Sequence, residues 1–488
     1  MKTRVLIALT LLVITTTVFS QTSMDALRYS RVFYSGTSRF NGLGGAFGAV
    51  GADFSTLSTN PAGIGLYQAS ELTVTIAPHI GTTSSTYNGM SASDSRTNFG
   101  MGNFGFILNI KPMAKSGSSI LKSINFGFGF NRQNDFNNRV TIQGANMKNS
   151  LMQSYVNVLN ENGTWPADIM EAYPFDIGLA WDTYLIDTAN GEYYCDAVYG
   201  GVMQRKTIVT YGSMNEMDFS FGGNIADKVY YGLTIGVPSI NYYENSLYEE
   251  SSIKDTIPNF LSLSYNYNLQ TKGTGINVKF GLIYRPLNWL RIGASIHTPT
   301  WYTNMHDEWF SSMQSSFKTT SWNGTSYSPL GYYDYRLRTP FRAMGSLAFI
   351  IGQYGLISAD YEYVNYSQAK FNSEFDSYTD VNNEIESNYK SWGNIRFGTE
   401  WRLWDFRIRG GFAYFSNPYS GSMAANNNAE RYQASGGLGY RSKYFFADVS
   451  YVWSKMNENY YLYDASMVAP AQLTTTTHSV LTTIGFRF

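Results

Sequence analysis

The chain has 488 residues, and its 35 Lys and Arg against 36 Asp and Glu leave it almost neutral. This balance excludes a basic field for nucleic acid and an acidic interaction tail. The single cysteine, Cys195, excludes an intrachain disulfide and a cysteine metal cluster. Aromatic residues make up 16% and charged residues only 15%, and the 45 glycines add to a composition that favours strands and turns over helices.

The first twenty residues have the pattern of a secretory signal peptide. Lys2 and Arg4 form a positive start, residues 5–18 are mostly apolar, and the small residue Ser20 precedes the expected cleavage site. The apolar run is short for a membrane-spanning helix. We therefore predict that residues 1–20 are removed on export, and that no lipid anchor follows because Gln21 is not a cysteine.

Residues 21–69 do not alternate like a strand and are rich in glycine and alanine, most of all over residues 42–52. Small residues allow a backbone to pack closely against a wall, so this segment is predicted to fold as a plug inside the structure that follows. A phosphate-binding glycine loop is excluded, because no strand precedes the glycines and no βαβ unit encloses them.

From about residue 70 onward, apolar residues alternate with small or polar ones. Over residues 124–131, for example, every second residue is Ile or Phe and the others are Asn or Gly. The mature chain has no run of eighteen apolar residues, so a membrane location requires a closed β-barrel rather than helices. A soluble β-sandwich also alternates, but it would not so readily carry Tyr and Trp near so many strand ends.

This pattern predicts an all-β fold, a 14-stranded antiparallel transmembrane β-barrel over residues 70–488 with an N-terminal lumenal hatch over residues 21–69. Long loops are predicted after odd-numbered strands and short turns after even-numbered ones. The last predicted strand ends in Phe488 and looks like the terminal strands, with a final aromatic residue, that the outer-membrane assembly machinery recognises. Residues 259–269 are assigned to the third long loop or to an extension of strand six. The predicted strands are 70–79, 98–109, 122–132, 214–224, 229–242, 274–285, 289–300, 338–350, 355–366, 390–402, 405–416, 431–441, 443–455 and 477–488.

The longest predicted loop spans residues 133–213. Residues 145–160 and 168–182 within it carry apolar residues at helical spacing. Two interpretations remain open: these helices pack the loop onto the barrel rim, or their apolar side catches a greasy ligand.

Two stretches resemble the FadL/TodX family of outer-membrane transporters for long-chain fatty acids and other hydrophobic compounds. The first combines NGLGGA at residues 41–46, AD at 52–53 and NPAG at 60–63, just before the first strand. The second is GTGINVKFGLIYRP at residues 273–286, continued by LRIGAS at 290–295. The hatch-motif residues are Gly44, Gly45, Asn60, Pro61, Ala62 and Gly63.

The resemblance implies passive uptake of a hydrophobic small molecule, with no enzyme activity and no cofactor or metal. A ligand would bind an apolar groove among extracellular loops, move to a pocket beside the hatch, and leave sideways through a gap made by a kinked strand. The resemblance also implies a Gram-negative outer-membrane location, contact with outer-membrane lipid and a monomeric chain. A nucleic-acid partner is not expected.

Several residues are candidates for the ligand path. Pro61 suits a rigid bend because its φ is fixed, while Asn60 either pairs backbone groups at the gap or locks the plug. Hatch aromatics are candidate ligand-binding residues, although core packing explains them equally well: Phe33, Phe40, Phe47 and Phe54. Three arginines predicted to face the lumen either attract a carboxylate or pair with lumen carboxylates: Arg291, Arg407 and Arg409.

Two alternative functions remain open. A haemin receptor would need an axial His or Tyr, and the chain has four histidines among many tyrosines. A barrel subunit or scaffold of a protein-secretion machine would have a stable protein partner and a blocked lumen. An outer-membrane enzyme such as a lipase is not predicted, because no histidine lies in a recognisable constellation with a nucleophile.

Overall fold

A computed structural model describes residues 21–112, 120–197, 201–253, 257–374, 376–421, 426 and 428–488. The predicted signal peptide, residues 1–20, lies outside the described residues. Long antiparallel strands dominate the chain after residue 70, and short helices form the segment before it. Within these ranges, no helix has the length and apolar character needed to cross a membrane.

The described strands close into a 14-stranded antiparallel barrel, as predicted. Each strand pairs with the next, and the ring closes because the first strand pairs with the last, from Glu71 opposite Arg487 to Thr86 opposite Gln472. The strands are β1 (Glu71–Tyr87), β2 (Met90–Ile110), β3 (Leu121–Asp135, continued by Asn138–Asn146), β4 (Val202–Ile225), β5 (Val229–Ser252), β6 (Phe260–Leu287), β7 (Leu290–His297, continued by Trp301–Phe317), β8 (Gly331–Arg338, continued by Arg342–Ile351, with Gly324–Tyr327 before it), β9 (Gly355–Asn365, with Lys370–Asn372 after it), β10 (Ser391–Leu403), β11 (Phe406–Phe415), β12 (Arg431–Arg441), β13 (Phe445–Tyr460) and β14 (Ala471–Arg487).

Period-two alternation places apolar side chains on the outer surface of the wall. Phe126 and Phe128 of β3 point outward beside Phe221 and Phe219 of β4, with ring centroids 5.4 and 5.2 Å apart. Asn125, which directly precedes Phe126, is fully buried on the lumen side. An outward apolar band with polar groups inside is what a lipid-embedded barrel requires.

The strands at the loop end are longer than predicted. β1 and β2 continue to a two-residue Asn88–Gly89 turn, so the long first loop predicted after residue 79 is wrong. Both turn residues have positive φ, 47° and 79°, the geometry of a tight hairpin turn that Asn-Gly favours. Residues 260–269 belong to β6, which selects the strand extension among the two placements predicted for that segment.

The N-terminal segment lies inside the barrel and contacts it on several sides. Gln21 donates to Asp307 of β7 (2.9 Å), the Ser38 amide donates to Thr483 of β14 (2.7 Å), and other bonds reach β4 and β10. Its elements are α1 (Ser23–Ser30), α2 (Ser38–Gly42), α3 (Thr56–Thr59) and a 3-10 helix (Pro61–Leu66). We refer to residues 21–69 as the hatch.

Glycines on both sides allow the hatch backbone to approach the wall. A Cβ on Gly411 of β11 would lie 2.0 Å from the Gly44 amide nitrogen, and one on Gly232 of β5 would lie 2.1 Å from the Pro61 carbonyl oxygen. Gly44 itself has a φ of +63°. These contacts are backbone to backbone, so a side chain at either wall position would displace the hatch.

A helical cap covers the loop end of the barrel. Its main core joins residues of the long loop to the extended strands, including Met152, Leu159, Leu179 and Cys195. The first predicted loop helix is present with shifted bounds, because the β3 continuation runs to Asn146 before it begins, whereas the second is divided into two short helices, Ile169–Ala172 and Ile177–Asp182. The cap elements are α4 (Leu151–Asn162), α5 (Ile169–Ala172), α6 (Ile177–Asp182), α7 (Thr379–Asn388), short 3-10 helices (Pro166–Asp168, Thr320–Trp322, Tyr366–Gln368) and a hairpin (Asp187–Ala189 with Glu192–Tyr194).

Gly411→Ala tests the seating of the hatch. The added methyl group collides with Gly44, so we expect a loss of about 1–3 kcal/mol of stability and faster proteolysis of the N-terminal segment. Thermal melting in detergent and limited proteolysis measure these effects. Gly345→Ala is the matched control, because a Cβ there meets nothing within 4 Å. Equal effects of the two substitutions would contradict the close packing of the hatch backbone against Gly411.

The thiol of Cys195 tests the integrity of the cap core. Burial raises the pKa of Cys195 to about 12, so the reactive thiolate is scarce near neutral pH. We expect alkylation of the folded protein to be at least about a hundredfold slower than that of the unfolded chain, and to speed up as pH rises. Mass spectrometry measures both rates. Comparable rates would mean that the cap core opens readily.

Candidate functional site

The wall of the barrel is interrupted between β2 and β3. Their ladder runs from Ile110 opposite Ile124 to Asn103 opposite Asn131 and ends there, although both strands continue. β2 beyond this point remains paired with β1. The wall therefore contains one strand boundary at which the hydrogen-bonded ladder stops partway.

Beyond the interruption, β3 bends behind the β1–β2 hairpin. The continuation Asn138–Asn146 stays paired with β4. On its other side it contacts inward-facing groups of β1, since Ser85 donates its hydroxyl to the Thr141 carbonyl (2.6 Å) and Thr83 donates to the side chain of Asn138 (2.9 Å). β3 is thus kinked into the lumen, the feature that the family resemblance implied.

The hatch occupies the edge that β2 leaves free. The Phe33 amide donates to the Gln133 carbonyl (2.7 Å) and the Ser35 amide donates to the Arg132 carbonyl (3.0 Å). A Cβ on Gly102 of β2 would lie 2.5 Å from the Ser35 carbonyl oxygen, so the hatch backbone also abuts the opposite side of the interruption. Backbone carbonyls that would otherwise lack partners are therefore satisfied by the hatch.

A polar cluster joins the two sides of the interruption. The carboxylate of Asp135 accepts from Arg132 on the same strand (2.8 Å) and from Asn98 of β2 (3.2 Å). It also lies 3.3 Å from Nε2 of His79 on β1. All three strands at the break thus converge on one carboxylate.

A cavity of about 140 Å³ lies between the hatch and this interruption. We call it the hatch cavity. Its lining combines aromatic and aliphatic side chains with His79, Asp135 and three arginines. Its apolar lining includes Phe33 and Phe40 of the hatch and Phe415, Val452 and Leu481 of the wall.

The three arginines of the hatch cavity differ in how their charge is compensated. Arg396 pairs with Glu362 (2.6 Å) and Arg132 with Asp135. The Arg431 guanidinium lies 4.1 Å from the Phe33 ring centroid, and its buried Nε has no hydrogen-bond partner. Among the described residues, no carboxylate lies within ion-pair distance of Arg431. The cavity therefore presents an unneutralised cation beside aromatic walls.

The four hatch phenylalanines divide into two pairs. Phe33 and Phe40 line the hatch cavity. Phe47 packs in a core with Phe40, Leu43 and Val50, whereas Phe54 lies in a separate core. The side chains of Phe47 and Phe54 are almost completely buried, so these two residues serve packing in this conformation.

The hatch motif locks the hatch internally. The Asn60 side chain accepts from the Ala62 amide (3.1 Å) and donates to the Gly48 carbonyl (2.5 Å), and Pro61 starts the 3-10 helix. The Gly63 amide donates to the Asn60 carbonyl (3.0 Å). Asn60 therefore does not pair the wall interruption, where Phe33 and Ser35 supply the donors.

The three predicted lumenal arginines lie below the hatch cavity. Arg409 donates to Glu400 (2.7 Å) and Asp448 (2.6 Å), the carboxylate pairing that was one of the two expectations for it. Arg291 donates to the hatch carbonyl of Val50 (2.7 Å). Arg407 bonds backbone carbonyls at the turn end of β11. The structure does not bring these three together with the hatch cavity.

Sequence reasoning missed Arg431. A usable signal existed, because Arg431 and Gln433 share the inward face while Tyr432 between them is exposed. Alternation alone could have placed this arginine in the lumen. Its proximity to Phe33 could not be anticipated, because it depends on how the hatch lies against β12.

A second cavity, of about 360 Å³ and lined by both apolar and polar side chains, lies within the cap. We call it the loop cavity. It is lined by residues of the long loop and of β6 and β7, including Met152, Leu185, Phe260, Phe317 and Trp322. The loop therefore packs a core, the first of the two interpretations, and it also borders a cavity that carries several apolar side chains, on which the second interpretation depends.

Several solved structures share this fold over nearly the whole chain. A Pseudomonas aeruginosa FadL homologue aligns with a TM-score of 0.53 and 11% identity, over 94% of this chain and 100% of that one. The P. putida toluene transporter TodX aligns with a TM-score of 0.52 and 11% identity, over 94% of this chain and 99% of that one. The Ralstonia pickettii toluene transporter TbuX aligns with a TM-score of 0.51 and 14% identity, over 94% of this chain and 99% of that one.

These likenesses define the class first: the chain has the fold of a transmembrane β-barrel. More specifically, the chain has the FadL-family fold. No protein-family model matches the sequence, and no curated protein matches it by sequence. The likeness to these structures is therefore one of fold, at 11–14% sequence identity.

Asp135→Asn tests the polar cluster at the interruption. The substitution keeps the side-chain size but removes the charge that attracts Arg132 and His79. We expect hydrogen exchange of the Phe33 and Ser35 amides to accelerate by about threefold or more, because partly buried ion pairs contribute modestly. Hydrogen-exchange mass spectrometry measures this.

Asp334→Asn is the matched control for Asp135→Asn, because Asp334 pairs with His306 (2.7 Å) on the exposed loop side. It should leave the exchange of residues 33–35 unchanged. Unchanged exchange in Asp135→Asn as well would show that the cluster does not hold the interruption closed.

Proposed function

We propose that this protein takes up hydrophobic compounds across the outer membrane by passive diffusion, and that its ligands include carboxylates such as long-chain fatty acids. The ligand passes the hatch and leaves sideways at the β2–β3 interruption. One observation carries the proposal: an amphipathic cavity, with aromatic walls and the unpaired Arg431, lies directly against that interruption. An apolar wall with few polar anchors is the usual lining of a hydrophobic-ligand site.

The size of the hatch cavity bears on the ligand. At about 140 Å³ it resembles cavities of ~150 Å³ that hold a benzene molecule. A single ring or the end of an acyl chain fits without rearrangement. A complete long acyl chain requires the hatch segment at Phe33 and Ser35 to move away from β3.

Moving that segment is energetically accessible. The segment joins β3 through the two backbone hydrogen bonds from Phe33 and Ser35. Each such bond costs about 0.5–1.5 kcal/mol net where water in the lumen replaces the lost partner, and about 1–3 kcal/mol where the β3 carbonyl stays unpaired; ligand contacts inside the barrel can offset these costs. The route therefore needs no energy source, because binding itself can shift the hatch segment.

The loop cavity supplies a first stage for the route. It lies at the opposite end of the barrel lumen from the short turns and is bordered by Phe260, Phe317 and Trp322. Ligand captured there enters the lumen from outside and reaches the hatch cavity next. This order matches the path implied by the family resemblance.

Haemin has less support as the cargo. A porphyrin is several times larger than benzene and exceeds the hatch cavity as it stands. His79, the histidine of this cavity, already faces Asp135. A transported haem would need both the cavity and this pair to reorganise.

Arg431→Gln and Phe33→Ala test the proposal together. Arg431→Gln removes the cation, so we expect about tenfold weaker binding of palmitate, in line with the worth of charged hydrogen bonds, and little change for toluene. Phe33→Ala removes apolar wall and should weaken both ligands. Titrations in a detergent without a free acyl carboxylate measure the affinities.

Arg407→Gln is the control, because Arg407 lies outside the hatch cavity. It should leave both affinities unchanged. Failure of the unsubstituted protein to bind palmitate, toluene or haemin, with a protein partner co-purifying, would overturn the transport proposal and favour a secretion scaffold.

A further inference from the structure

A large cavity opens at the short-turn end of the barrel, below the hatch. Its volume is about 1,010 Å³ and its inner end is formed by hatch residues such as Val50 and Leu66. We call it the vestibule. In outer-membrane barrels this end faces the periplasm. The vestibule is separate from the hatch cavity and is not needed for the route proposed above.

The vestibule concentrates positive charge in a protein that is almost neutral overall. Seven of its lining residues are Arg or Lys and three are Asp or Glu. Three of the cations are neutralised within the protein, since Arg39 pairs with Glu400 (2.9 Å), Arg487 with Glu71 (2.9 Å) and Arg441 with Asp448 outside the vestibule lining (3.7 Å). The remaining carboxylate, Asp227, accepts from Asn224.

Four cations of the vestibule lack a carboxylate partner in the described part of the chain: Arg285, Arg291, Arg402 and Lys443. Arg285 bonds the side chain of Asn288 and Arg291 bonds the Val50 carbonyl, both neutral groups. The Nε of Arg291 is buried without a partner. Like charges in a concave site repel one another and focus a positive potential, which a bound anion relieves.

The positions of these cations decide the size of the anion. Arg285 and Arg291 belong to β6 and β7, Arg402 to β10, and Lys443 to the turn after β12. Neighbouring strands lie ~4.8 Å apart, so β7 and β10 are separated by roughly 14 Å along the wall. A single carboxylate or phosphate cannot reach from one side to the other. An extended peptide, at about 3.3 Å per residue, spans this distance in four or five residues.

We propose that the vestibule docks an acidic polypeptide segment of a periplasmic protein, whose carboxylates pair with Arg285, Arg291, Arg402 and Lys443. Guanidinium groups match carboxylates in bidentate geometry, which gives such a site its preference for Asp and Glu side chains. The segment enters from the periplasm and stops at the hatch. Docking there leaves the β2–β3 interruption free.

The test uses the full-length protein in a non-ionic detergent and a fluorescein-labelled octaglutamate peptide. Fluorescence anisotropy measures binding at low and at high salt. We expect saturable binding that weakens with salt, because the pairs form at a solvated mouth. The double variant Arg402→Gln/Lys443→Gln should bind about tenfold more weakly, and adding Arg291→Gln should weaken binding further.

The matched control removes the same charge from the opposite end of the barrel. Arg336→Gln/Lys390→Gln should bind octaglutamate like the unsubstituted protein. Arg402 and Lys443 are solvent-exposed, so their substitution leaves the fold intact, which circular dichroism verifies. Arg431→Gln should also bind the peptide normally, which separates this site from the transport proposal.

Three outcomes would overturn the inference. Unchanged peptide binding in the vestibule variants would place the anion elsewhere. An equal loss in the control would reduce the effect to net charge. Competition by acetate or inorganic phosphate at the affinity of octaglutamate would make the vestibule a small-anion site rather than a peptide dock.

Discussion

The structure depends on one constraint: a strand edge inside a membrane barrel must find partners for its backbone groups. The β2–β3 ladder stops at Asn103 and Asn131, which leaves carbonyls of β3 without a neighbouring strand. The hatch supplies the missing donors through Phe33 and Ser35. The N-terminal segment is therefore part of the wall as well as a plug, and displacing it both opens the side of the barrel and exposes unpaired groups.

The hatch can serve this purpose because its position is fixed elsewhere. Glycine contacts such as Gly44 with Gly411 set its depth. The bidentate pair of Arg39 with Glu400 fixes it electrostatically, because two guanidinium nitrogens donate to the two carboxylate oxygens at 2.9 and 3.0 Å. The segment at residues 33–35 is held by fewer bonds. A local opening at residues 33–35 requires that this segment be weakly bound while the rest of the hatch stays firmly anchored.

Charge divides the lumen into levels with different chemistry. Around Arg409 the cations and carboxylates neutralise one another and bind the hatch to the wall. Above that level, Arg431 remains unpaired beside aromatic rings, which suits one amphipathic molecule. Below it, Arg291 and Arg402 belong to an excess of positive charge around a wide mouth. Arginine therefore anchors the hatch where carboxylates surround it, and in our two proposals it attracts a ligand or a partner where they do not.

The sequence by itself determined the barrel, because period-two alternation must match lipid on one side and lumen on the other along every strand. It also located the glycine-rich hatch, since close backbone contact tolerates few residue types. Only the tertiary structure decided which hatch phenylalanines border a cavity, that Arg409 is neutralised while Arg431 is not, and that Asn88–Gly89 ends a hairpin far above the predicted loop start. These features depend on contacts between strands and hatch residues that are hundreds of positions apart in the sequence. Local periodicity carries no information about such long-range contacts.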